Sequence, residues 1–281
     1  MNMKKMHPGK ATQGIVYAII AVIALVQIYP IIWVMLSSLK TPTELTNGLS
    51  YQLPKGIYFG NYARAFSQSN LLRYLLNSSV VAVVTIVVTI ALGAPAAFAI
   101  EKLRFRGSGK VMSYLLLGLL VPSFAALLPL FEAFNKIGIN NTYLALIIPQ
   151  MAFNLPMCVY LYAGFMKDIP DSLLEAGWID GASTWQVFTN IVLPLSRNTT
   201  VTVITYNFVF IWNEFVFANT FMTSPEMKTL PIGLNDFVGM FGQTDLGATY
   251  SAIVVSMIPT LILYFFLNKQ VIAGMAAGAV K

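Results

Sequence analysis

Lys167-Asp168-Ile169-Pro170-Asp171-Ser172-Leu173-Leu174-Glu175-Ala176-Gly177-Trp178-Ile179-Asp180-Gly181 opens a polar segment that runs to Asn198 and closes on Ile191-Val192-Leu193-Pro194. Long apolar runs stand on either side of it. Pro170 suits the first turn of a helix, where it lacks only an N–H that has no partner there, and Asp171 suits the positive helix end. The spacing predicts a helix as far as Asp180, stopped by Gly181 in the left-handed conformation. Ser183 with Gln186 has the pattern of a capping box for a second helix, and Leu193-Pro194 sets its end, because the residue before proline avoids the helical region. Trp185, Phe188 and Val192 recur at spacings of three and four, an apolar stripe that needs a surface to cover it. That surface is a partner protein, the membrane interface or the underside of the chain's own spans.

The flanks decide the environment. The chain is 57% hydrophobic and only 10% charged, whereas a soluble domain carries about 25% charged residues. Apolar runs long enough to cross a hydrocarbon core of roughly 30 Å recur along its whole length. The reading is an all-α membrane protein of six spans in one transmembrane domain over residues 1–281: Gly14 to Leu39, Leu71 to Ile100, Val111 to Asn135, Tyr143 to Met166, Thr199 to Met222 and Thr249 to Leu267. Pro30 interrupts the first span and Pro122 and Pro129 the third. Residues 1–13 are a polar tail, 71–267 hold the core spans, 167–198 form the loop between spans four and five, and 268–281 form a small-residue tail unsuited to an independent helix. The segment from Lys40 to Asn70 is an outward loop with room for a surface helix, and Thr223 to Ala248 is a second outward loop.

Most of the 17 lysines and arginines fall in the two tails, the loop at 101–110 and the central loop. The positive-inside rule therefore makes both termini cytoplasmic. The same rule accounts for the net charge of +6 without nucleic acid. The single histidine, His7, is in the N-terminal tail and the single cysteine, Cys158, is inside a span, which excludes a disulfide, a histidine-based triad and a histidine metal site. Gly107-Ser108-Gly109-Lys110 fails as a phosphate loop because Arg104 and Val111 stand where a glycine and a serine or threonine are required. ATP must be handled by another polypeptide.

Glu175-Ala176, Gly181, Ile191 and Leu193-Pro194, at these spacings and before the penultimate span, resemble the EAA motif of permease subunits of bacterial ABC importers. Asp180-Gly181-Ala182 and Phe188 are similar to the carbohydrate-uptake branch, typified by the maltose permease subunits. The resemblance extends to Asn61-Tyr62 with Phe66, Asn77-Ser78, the segment Ala96 to Arg106, Trp212-Asn213-Glu214-Phe215 and Gly274 to Gly278, and so covers nearly the whole chain. Two positions depart from the pattern. Gly177 replaces the usual alanine, at about 1 kcal/mol of helix propensity, and Asn198-Thr199 stands where a second proline is common.

The resemblance implies a permease subunit that is not itself an enzyme and binds no cofactor or metal, with ATP and Mg on two cytoplasmic ATPase subunits. It implies a second permease in a heterodimer, an extracytoplasmic solute-binding protein, a sugar substrate and a bacterial cell membrane as setting. Glu175, Ala176, Gly177, Asp180, Gly181, Ile191, Leu193 and Pro194 then belong to a coupling helix that fits a cleft on an ATPase. The C-terminal tail of the resembled subunit reaches the ATPase interface.

Residues of the substrate path are sought among polar groups at membrane depth, which are costly there. Glu214 with Asn207, Trp212 and Asn213 in span five, and Asn154 with Gln150 in span four, meet that description. The alternative for them is interhelical hydrogen bonding. Other functions open to the chain are import of glycerol phosphate or a peptide, and a stand-alone secondary transporter using Glu214 as proton or ion site. The latter predicts an internal repeat and more intramembrane charge.

Overall fold

In the computed structural model, residues 10–49, 51–237 and 244–279 are described. The chain divides into two compact units, one comprising residues up to Ser69 with Asp236–Val255 and the other Asn70–Asn235 with Ser256 onward.

In the first unit, α1 (Lys10–Ser37) carries Pro30 within it, and its apolar side chains from Ile15 to Tyr29 are exposed. A helix apolar all round is suited to lipid or to burial against other protein. Two short helices, α2 (Pro42–Asn47) and α3 (Gly60–Gln68), occupy the following loop. Thr41 caps α2 in a capping box with Glu44. Glu44 also accepts from the backbone N–H groups of Lys55 and Thr41, and these bonds hold its carboxyl at about 2. Asn61 is fully buried and donates to the carbonyls of Ser38 and Lys40, both at 2.7 Å. Its carbonyl accepts from Arg64, whose guanidinium also pairs with Asp245 at 2.8 Å. The Asn61-Tyr62 pair is thus a bracket, since the Tyr62 hydroxyl meets Ser38 Oγ at 2.8 Å.

The second unit begins with α4 (Leu71–Phe98), which continues as a π-turn over Ala99–Leu103 and ends at Arg104 with φ 45°. Next come α5 (Ser108–Leu117) with a 3-10 turn to Leu120, α6 (Ser123–Ile137) and α7 (Tyr143–Met166). The expected third span is bent by 92° between Leu120 and Ser123. Pro122 takes extended backbone there and cannot continue the hydrogen-bond ladder.

The helices α4 and α7 run side by side in the same direction. The Tyr143 hydroxyl donates to Asn77 Oδ1 at 2.7 Å, and further along Cys158 Sγ lies 3.6 Å from the Thr89 carbonyl. Their close approach depends on small residues: a Cβ on Gly93 would stand 2.5 Å from Cys158 Sγ.

The polar segment holds α8 (Asp171–Ile179), α9 (Thr184–Val187), a π-turn over Phe188–Val192 and α10 (Leu193–Leu195). Beyond it, α11 (Arg197–Trp212) packs against α4 and α7, and α12 (Val216–Phe221) follows after a break. The loop after it then forms a 3-10 turn at Pro225–Met227, α13 (Leu230–Gly233) and a further 3-10 turn at Leu234–Phe237. Asn77 fastens this loop by donating to the carbonyls of Glu226 and Lys228, and Ser78 Oγ accepts from Leu230 N, each at 2.8 Å.

The last helix, α14 (Leu246–Ala279), runs through most of the segment expected as a separate tail. The remainder of that tail, and most of the N-terminal tail, lie outside the described residues.

Among the described residues four helices are long and apolar enough to cross a membrane, and the bent pair α5–α6 makes a fifth if counted as one span. The expected fifth span at 199–222 is instead two shorter helices broken at Asn213-Glu214-Phe215.

Candidate functional site

The central segment folds as the local rules require, with one exception. Pro170 is the residue just before α8, one place earlier than expected, and Asp171 opens the helix. At the other end Gly181 has φ 84°, its N–H bonds the Trp178 carbonyl at 3.1 Å, and Ala182 N–H bonds that of Gly177 at 3.0 Å. This paired closure is the Schellman stop that a glycine permits. Ser183 and Gln186 form the reciprocal capping box, Ser183 N donating to Gln186 Oε1 at 2.8 Å.

The exception is Leu193-Pro194, which does not end the second helix. Leu193 is helical at φ −65°, ψ −43°, and its N–H bonds the Phe188 carbonyl across the π-turn. The wider turn takes up the proline within the helix, so the chain stays helical to Leu195.

Burial divides the motif into two faces. Glu175, Ala176, Asp180, Gly181 and Pro194 are exposed, Gly177 is buried, and Ile191 and Leu193 are half-buried. Gly177 has a packing role that propensity alone does not reveal, since a Cβ there would lie 2.9 Å from Ile191 Cδ1 and 3.1 Å from Val187 Cγ2. It lets α8 rest on the following arm.

The expected stripe is split. Phe188 and Val192 are buried in one cluster with Leu174, Val187, Phe98, Tyr162 and Met166, under the spans, while Trp185 is 62% exposed. Ile179, 85% exposed, and the half-covered Trp178 join Trp185 as outward apolar groups.

Lys102 fastens the segment to the end of α4, a contact that neither periodicity nor motif announces. Its side chain is 1% exposed, and the ammonium donates to the Ile169 carbonyl and, at 2.6 Å, to Asp171 Oδ1. Arg104 reaches the other carboxylate oxygen at 3.3 Å. The Lys102 hydrogen bond foremost, then the charges of Lys102 and Arg104, hold the Asp171 carboxyl below the usual carboxylate range. Below the segment, the buried Tyr162 hydroxyl donates to Thr200 Oγ1 at 2.7 Å, tying α7 to α11.

The polar residues sought for a substrate path take several positions. Trp212, Asn213 and Glu214 lie together at the break between α11 and α12. Glu214 accepts from Phe217 N at 2.7 Å and Ala218 N at 3.0 Å, so its carboxylate caps α12. Trp212 is buried, stacked on Phe208 at 5.2 Å, and donates from Nε1 to the Ser256 carbonyl at 3.0 Å. Its ring is therefore covered on the stacked face by Phe208. Asn213 is exposed and donates to the Val209 carbonyl at 2.8 Å.

Asn207 is fully buried on α11, with neither amide atom hydrogen-bonded, and on α7 the buried Gln150 has an unpaired Oε1. Asn154, half-buried, donates to the Gln150 carbonyl at 2.7 Å. Two unpaired threonine hydroxyls, Thr85 and Thr89, lie one turn apart on α4. Buried amides without partners are rare and costly, and Asn207 has no hydrogen-bond partner among the described residues.

Residues 89–276 match the family described as binding-protein-dependent transport system inner membrane component. The chain is 35% identical to a putative ABC transporter permease protein, ORF2, of Caldicellulosiruptor sp., over 97% of this chain and 98% of that protein. It is 32% identical to the trehalose/maltose transport system permease protein MalG of Thermococcus litoralis, over 92% and 93%. Among solved structures, a chain of a bacterial ABC transporter involved in import of the acidic polysaccharide alginate superposes with a TM-score of 0.80, covering 94% of this chain and 98% of that one at 22% identity. With the helical fold and the two-faced central loop, these matches establish that the chain belongs to the family of binding-protein-dependent transport system inner membrane components, the permeases of ABC transporters.

Proposed function

We propose that this chain is one permease subunit of an ATP-driven importer for a sugar or oligosaccharide. It forms half of the translocation path and docks on a cytoplasmic ATPase through the exposed face of α8 and α9. The observation that carries the docking role is the division of the loop: Phe188, Val192 and Leu174 are consumed by the chain's own core, whereas Glu175, Ile179, Trp185 and part of Trp178 are exposed on the outward face. Exposed apolar groups beside a carboxylate suit a protein cleft. A closing ATPase pair that holds this face would move α7 and α4 with it, switching the path between inward- and outward-open states.

The sugar class rests on the relative named for trehalose and maltose and on the fold shared with an alginate importer. The complete assembly in this reading has a second, different permease, two ATPase subunits carrying ATP and Mg, and a solute-binding protein on the outer face. Both termini are cytoplasmic. The exposed Asn213 and the buried Asn207 are the residues assigned to the path. Glu214 accepts one backbone N–H at each carboxylate oxygen, a capping role that accounts for its place at the helix break without a proton site.

The test is gentle purification of the tagged subunit from its own cells, with mass spectrometry of what accompanies it. A second permease and an ATPase are expected. This chain alone, in a preparation shown to be folded, would overturn the proposal. In the assembled complex, Glu175→Lys and Gly181→Pro are expected to leave the protein in the membrane and to uncouple ATP hydrolysis from uptake.

A further inference from the structure

Lys102 occupies a position that an ammonium seldom takes without a reason. It lies at the end of α4, where the helix widens into a π-turn, and its side chain is almost completely enclosed. Placing an ammonium out of water is unfavourable unless its donors are paired. Here the pairing comes from one place, the Ile169 carbonyl and the Asp171 carboxylate at the very start of α8, with Arg104 adding a second contact to the same carboxylate. The covalent chain joins α8 to α7 through residues 167–170. The Lys102 contact joins it independently to α4.

We propose that Lys102 is a positioning residue for coupling: it fastens the start of α8 to the end of α4, so that a pull on the loop moves α4 and α7 as one body. The role rests on the docking reading above and adds the residue that makes α8 rigid with respect to two spans. Apolar contacts alone allow α8 to slide or roll over the cluster beneath it, because they are non-directional. An ammonium bonded to a carbonyl and a carboxylate three residues or fewer apart fixes both position and rotation. The π-turn is consistent with this use, since single π-turns within α-helices occur frequently at functional sites.

The test uses the full chain in its native complex, in lipid nanodiscs. Spin labels are placed at Leu92→Cys on α4 and Leu173→Cys on α8, both exposed positions outside the docking face, while native Cys158 is buried and stays unlabelled. Lys102→Met keeps the volume and removes the donors, and Lys102→Arg keeps a charge.

In the parent the label-to-label distribution is expected to be narrow and to keep its width when MgATP is added. In Lys102→Met it broadens. Stimulation of ATPase activity by the co-purified binding protein falls at least ~5-fold, the lower end of the range for coupling between linked sites, and Lys102→Arg recovers part of both. An unchanged distribution in Lys102→Met overturns the fastening, and a broadened distribution with full stimulation overturns its role in coupling. If Lys102→Met does not accumulate, Asp171→Asn, at an exposed carboxylate, makes the same comparison. A complex that purifies without an ATPase refutes the importer reading and the coupling role with it, while the label distances still report the fastening itself.

Discussion

Glu214 is where the capping and transport readings make opposite forecasts. Its two oxygens accept from Phe217 N and Ala218 N at 2.7 and 3.0 Å, so the carboxylate satisfies the first free N–H groups of α12 at the point where the fifth span is broken. Removing a helix cap costs about 0.5–2 kcal/mol, and a buried donor left unpaired costs about 1–3 kcal/mol. For Glu214→Ala we therefore expect a loss of about 2 kcal/mol, a fall in unfolding temperature of about 4–8 °C for a chain of this size. Glu214→Gln keeps one acceptor oxygen where the carboxylate has two, so roughly half of that loss should be recovered. The assay is thermal unfolding of the purified complex followed by tryptophan fluorescence, with Trp212 two residues away as a reporter, alongside solute uptake into proteoliposomes. A capping role predicts that Gln lies between wild type and Ala in stability and retains uptake. An ion site predicts that Gln unfolds like wild type and transports no better than Ala. An unfolding temperature for Ala equal to that of wild type would refute the capping argument outright.

Other substitutions test the remaining contacts. Asn207→Leu exchanges a buried amide without partners for an apolar side chain of similar size, and is expected to stabilise the chain by about 1–3 kcal/mol in the same melt while lowering uptake. Gly93→Leu drives a side chain into Cys158 and should separate α4 from α7, costing about 1–3 kcal/mol or more and reducing recovery from the membrane. Gly181→Ala forces φ 84° on a residue with a Cβ, at about 1–2 kcal/mol, read as faster proteolysis in the loop. Asp171 has a lowered carboxyl value, so its pairing with Lys102 is fully present above the ordinary carboxylate range and is lost only as pH falls through the lower folded value. The label distances between α4 and α8 should accordingly be the same from about pH 8 to about pH 5, and broadening within that window would count against the pair.

Several features were legible because they are local. Gly181 and the Ser183-Gln186 box are governed by backbone hydrogen bonds within a few residues, and both fold as their spacing requires. Apolar runs announced α1, α4, α7 and the start of α14 by length alone. The break at Asn213 was not legible, because the carboxylate that caps α12 reads equally well as an intramembrane functional charge until its partners are known. The reach of the second helix past Pro194 was hidden by a preference stated for ordinary helical turns, which a π-turn escapes. The Trp185, Phe188 and Val192 stripe predicted a covered surface correctly for two of its members, but period does not say which residue turns inward.

What the sequence determined by itself was the environment and the local grammar of the loop: composition excludes a soluble domain, and short-range capping fixes where α8 stops and α9 starts. The tertiary structure decided what long-range contact alone can decide. Lys102 lies 69 residues from Asp171, Asn77 lies 149 residues from Glu226, and Gly93 meets Cys158 across two helices. A lysine near the end of a span reads from sequence as a solvated cytoplasmic charge. Only the packing of α8 beneath α4 encloses it and supplies the carbonyl and carboxylate that make its burial tolerable, and that enclosure turns a charge of membrane topology into a joint between the loop and the spans.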